Sequence, residues 1–146
     1  MPAEIGFQWG PAFGAGLITG ALLLFVPNGS PWERFSFFSH AVMGRSLGFQ
    51  GILLPVTWAL HLGISVIYGL IVSRIVANIT VYRAFLVGGA VGVILYVLNY
   101  IVVSNWLPEF SGSEFSVLVT HFVFGLVCAG AYRGLLRRKI LVVSHP

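Results

Sequence analysis

Apolar side chains come in four long runs, Phe7–Val26, Ile52–Val72, Ala84–Val103 and Phe115–Leu136. Polar and charged positions collect between them and at the ends. Each run is close to the ~20 residues that carry a helix across a ~30 Å hydrocarbon layer at ~1.5 Å per residue. Inside lipid the backbone must satisfy itself, and unbroken runs of this length do so as helices rather than as barrel strands. The pattern predicts an all-α integral membrane protein, a four-transmembrane-helix bundle forming a single domain over residues 1–146.

The longest connection, from Pro27 to Gly51, carries a pattern of its own. In "SPWERFSFFSHAVMG", Ser30, Pro31 and Glu33 resemble an N-cap, a first-turn proline and a capping-box glutamate. Trp32, Phe35, Phe38, Val42 and Met43 would then form an apolar stripe. A short amphipathic helix lying on the membrane interface between spans 1 and 2 is expected here.

The runs also repeat. "AFGAGLITGALLLFV" from Ala12 aligns without gaps on "AFLVGGAVGVILYVL" from Ala84, and the second and fourth runs align through His61 and His121. Two tandem helical hairpins, residues 7–75 and 83–138, follow from this alignment, related by an axis along the membrane normal. Gly16 and Gly20 recur as Gly88 and Gly92, with Gly125 on the fourth run. In lipid, small residues that let backbones approach drive helix packing. The simplest consequence is that spans 1 and 3 pair along their glycine faces.

Composition agrees with the pattern. Of 146 residues, 58% are hydrophobic and only 8% charged, whereas a soluble domain of this size carries about a quarter charged. Charge then sets the orientation. Arg74 and Arg83 flank the second connection, and Arg133, Arg137, Arg138 and Lys139 close the last span. Arg34 and Arg45 lie on the other side with Glu33, Glu109 and Glu114. Basic residues favour the cytoplasmic face, so both termini are expected there. Topology accounts for the basic cluster, and nucleic acid is not an expected partner. Met1–Glu4 is acidic and no small-residue cleavage pattern follows, so the first run is expected to persist as a helix. The single Cys128 falls mid-span, where a small packing residue is expected.

Candidate chemistry is confined to a few polar side chains within the runs. His61 and His121 each stand near the same end of their spans, with Ser65 and Gly69 following the first and Gly125 and Ala129 the second. Tyr68 and Tyr132 lie near the same faces, deeper in, and Asn99 shares the glycine face of the third span. Two histidines on facing helices with small neighbours can ligate a b-type haem. His40, His61 and His121 can instead hold a metal, with Glu109 or Glu114 completing the shell. A proton relay or a quinone pocket also uses His, Tyr and Asn in this setting. The remaining alternative is hydrogen bonding that keeps the hairpins in register, with no cofactor as the default expectation. There is no aspartate, and no phosphate loop, Gly-x-Ser-x-Gly elbow or His-Glu-x-x-His motif. Paired-aspartate sites are thereby excluded, and conventional hydrolase, kinase or dehydrogenase chemistry is not expected.

Ser30-Pro31-Trp32 with Arg34, His61 with Ser65 and Tyr68-Gly69, Tyr96 with Asn99-Tyr100, and His121 with Phe124-Gly125 give the chain a further likeness. It resembles a family of small, uncharacterised bacterial inner-membrane proteins with four spans, and the resemblance covers most of the sequence. It implies the location and the number of crossings and brings no activity with it. The expected function is that of a non-enzymatic accessory subunit, with the bilayer and a larger respiratory or photosynthetic membrane complex, or further copies of itself, as partners. The alternatives are a bis-histidine haem or quinone-associated electron-transfer protein, and a small transporter or channel.

Overall fold

A computed structural model describes residues 6–24, 50–106 and 114–144, and every element among them is helical. In chain order these are α1 (Trp9–Leu24), α2 (Gln50–Val76), α3 (Val81–Trp106) and α4 (Glu114–Ser144). α2, α3 and α4 are long and apolar enough to cross a membrane, whereas α1 is a shorter apolar helix. At 16 residues, α1 spans ~24 Å. The molecule is therefore an all-helical membrane protein with three helices of spanning length and one shorter apolar companion. The expected interfacial helix, His40 and Glu109 lie outside the described residues.

Local chemistry sets the helix ends. Pro11 sits in the first turn of α1, where its missing N–H would have had no partner. The amide of Gln8, just before α1, donates to the Tyr132 hydroxyl at 3.2 Å. Between α2 and α3 the chain turns within four residues. Thr80 stands in the N-cap position of α3, its carbonyl accepting the Ala84 amide at 2.8 Å. Arg133 of α4 donates from a guanidinium nitrogen to the Ala77 carbonyl at 2.9 Å. A cation is thus held against the negative end of α2. Arg74 lies over the Phe7 ring, 5.7 Å from its centre. These contacts gather the start of α1, the α2–α3 turn and the arginines of α4 at one end of the bundle, called here the basic end.

The helices pack in the order α2, α1, α4, α3. α1 is held between α2 and α4, α3 lies mainly on α4, and α2 and α3 meet at few points. Buried positions follow helical spacing: Ala12, Ala15, Thr19 and Leu23 on α1; His61, Ser65, Val72 and Val76 on α2; Ala84, Val91 and Leu95 on α3; Phe124, Cys128, Tyr132 and Leu136 on α4. Ala12, Ala15, Thr19, Ser65, Ala84 and Cys128 among them are small, as close approach in lipid requires.

The expected pairing of spans 1 and 3 along their glycines is corrected by this packing. A Cβ built on Gly16 would lie 2.8 Å from Ser65 O and Val66 Cα, and one on Gly20 would lie 2.7 Å from Ser65 Cβ. Both are atoms of α2. Gly88 and Gly92 face α4 instead, where Cβ atoms would run into Gly125 and the His121 carbonyl. Each glycine pair therefore packs on the next helix along the chain. The physical reason is that α2 and α4 present small residues at the crossing, Ser65 and Gly125, which let the backbones approach there.

Candidate functional site

The two histidines occupy similar surroundings in the sequence and end in different ones. His61 is buried on α2, and its Nε2 lies 3.1 Å from the Gly20 carbonyl of α1. Gly20 has no side chain to block that approach. The bond joins neighbouring helices, and Nε2 must carry its proton for the carbonyl to accept it. In a low-dielectric interior such an interhelical bond is worth about 1 kcal/mol.

His121 is half-buried on α4, and its Nδ1 lies 2.8 Å from Val117 O, one turn back on the same helix. Thr120 returns its hydroxyl to Ser116 O at 2.8 Å in the same manner. The rest of the His121 ring stands among aromatic side chains from the other hairpin and its own. The Tyr68 ring of α2 is 6.1 Å away centre to centre, and the Tyr96 ring of α3 is 5.8 Å away, edge on. Phe124 packs edge on against Tyr68 at 6.2 Å, and Tyr100 stacks on Tyr96 at 6.2 Å. These rings meet where α2 and α3 both face α4.

Of the candidate residues, Tyr68 and His121 are brought together. Tyr132 is not beside them: fully buried, it stacks on Phe7 at 6.4 Å at the basic end, and eleven residues of helix separate it from His121 by ~16 Å. Asn99 is half-buried on α3 with no hydrogen-bond partner among the described residues. Gly125 packs against Gly88 and Gly92, in the expected packing role. No three His, Cys, Asp or Glu side chains converge among the described residues. The third histidine of the metal reading, His40, is not among them. Tyr96 was not singled out as a site residue from its surroundings. The signal was its position one turn beyond Gly92 on the same face.

A second polar knot sits deeper. The Thr19 and Ser73 hydroxyls are fully buried and have no hydrogen-bond partner other than the Cys128 thiol among the described residues. They flank the buried Cys128 thiol, whose sulfur is 3.9 Å from Gly69 O. All three side chains are small, and they fill the junction of α1, α2 and α4.

What the described residues define is an all-helical membrane protein with an imidazole and two phenols gathered where α2, α3 and α4 meet. No family model, curated protein or solved structure matches the chain.

Proposed function

We propose that the chain is a small, non-enzymatic subunit of the bacterial inner membrane that packs against a larger respiratory or photosynthetic complex, with both termini in the cytoplasm. One observation carries this reading: the interior is used for holding helices, and the outer surface is left unpartnered. Along an 18-residue apolar stretch of each long span, only 33%, 28% and 28% of the residues are buried within the chain. Exposed Tyr82, Leu86, Ile94 and Val97 make a broad apolar face on α3, the helix held chiefly by α4 alone. Inside, His61 is engaged with Gly20 and Arg133 with Ala77. Ligating haem iron through Nε2 would require His61 to give up that bond.

The orientation follows from the basic end, where Arg74, Arg133, Arg137 and Arg138 gather, by the preference of arginine for the cytoplasmic side. The test is photo-crosslinking in native membranes from a reactive amino acid placed at Leu86 or Ile94, followed by affinity purification in mild detergent. Both positions should capture the same membrane protein in fixed stoichiometry. Recovery of only free monomer or homo-oligomer rejects the subunit reading.

A further inference from the structure

Five arginines crowd the end of the bundle where α2 turns into α3. Arg74 lies three residues before the 77–80 turn and Arg83 three residues after it, while Arg133 reaches the turn itself through the Ala77 carbonyl. Arg137 stands one helical turn beyond Arg133 on the same face of α4, with Arg138 next to it in the chain. Arg74, Arg83, Arg137 and Arg138 are exposed. Carboxylates within the chain do not cancel this charge. The sequence holds four acidic side chains against eight basic ones. Glu114 opens α4, and the helix between it and Arg137 is ~34 Å long. Glu109 is tethered five residues from Glu114, a reach of ~18 Å. Only Glu4 and Glu33 remain to face five guanidinium groups.

Depth decides what meets this charge. The apolar spans end at Val76 and begin again at Val81, and that of α4 ends at Arg138. The turn and its arginines therefore stand where hydrocarbon gives way to headgroups, with long side chains carrying the charge outward. Trp9 and Tyr82 at this end are 72% and 76% exposed, as aromatic rings at a headgroup boundary are. A phosphate diester is the anion found at that level, and a guanidinium fork pairs with two of its oxygens. A zwitterionic headgroup brings its own cation to the phosphate, so a surplus of guanidinium groups favours a headgroup of net negative charge. We propose that the basic end, centred on the α2–α3 turn, is a docking surface for anionic phospholipid headgroups. Arg83 and Arg137 carry the contact, and Arg133 holds the turn. This surface needs the helices to cross a bilayer and needs no partner protein, so a chain that captures no partner keeps the same lipid preference.

The full-length protein, reconstituted in phosphatidylcholine bilayers with a trace of spin-labelled lipid, provides the test. The fraction of label immobilised against the protein is compared for phosphatidylglycerol and phosphatidylcholine carrying the same labelled chain. One arginine at a charged surface is worth about fivefold in affinity. Averaged around the whole protein, phosphatidylglycerol should therefore be favoured about twofold or more. Combining Arg83→Gln with Arg137→Gln leaves Arg133 on Ala77 and should bring the two lipids level. If that variant does not fold, salt on the unaltered protein decides. Raising it from ~0.01 to ~1 M shortens the Debye length from ~30 to ~3 Å and should erase the preference. Inorganic phosphate, compared with chloride at equal ionic strength, should leave the preference unchanged. Equal association of the two lipids with the unaltered protein, the outcome if these arginines serve a soluble acidic partner, overturns the assignment. So does a preference that survives the double substitution or the salt, or one that inorganic phosphate alone removes.

Discussion

Glycines that look alike in the sequence do different things in the bundle. Gly92 and Gly125 stand where an added Cβ would meet the backbone of the facing helix, whereas Gly63 and Gly134 have nothing within 4 Å. A methyl group at the first pair forces α3 and α4 apart and should cost ~1–3 kcal/mol. At the second pair the same change is neutral or gains up to ~1 kcal/mol from helix propensity. Thermal unfolding in detergent of the four Gly→Ala variants should separate them into these two groups, and four equal losses would refute the close packing. The packing role of Gly88, Gly92 and Gly125 was legible from small residues spaced four apart. Their partner was not, because the spacing marks a face of a helix and leaves open which neighbour it meets. His61 and His121 make the same point. Their matching positions in two aligned runs were readable, but their different acceptors depend on helix rotation, which the packing decides.

The helices run further than the apolar runs that announced them. The second run ends at Val72, yet α2 continues through Ser73 and Arg74 to Val76. Hydropathy marks what hydrocarbon will dissolve, while backbone hydrogen bonding carries the helix on until a turn stops it. The first run behaves oppositely at its start, since α1 begins at Trp9, with Pro11 in its opening turn. The contact that finishes α2, from Arg133 to the Ala77 carbonyl, was not legible, because it joins residues 56 apart in sequence on different helices. Arg133→Ala removes it and should cost ~1 kcal/mol, below the ~1.5–3 kcal/mol range for a buried charged donor because Arg133 is half-buried. Limited proteolysis at the 77–80 turn should be faster in this variant. An unchanged cleavage rate would mean the turn is held without the arginine.

At the scale of the whole chain, an all-helical membrane protein was legible from composition and run length, since so little charge cannot keep a soluble surface wet. The order of the helices around the bundle was not, because each run is apolar on every side and none announces its neighbour. Cys128 reports on the result. Buried at the junction of α1, α2 and α4, the single cysteine should resist a water-soluble maleimide in intact membranes and react fully after denaturation in SDS, read as a gel shift. Labelling in the native state would place the thiol at a surface. The thin contact between α2 and α3 has a mechanical consequence. The described helices are bound like a book, with α1 and α4 as its spine and each tightly joined hairpin as a cover, so the cheapest way to open them is at the fore-edge, from the end away from the 77–80 turn, sideways into the bilayer.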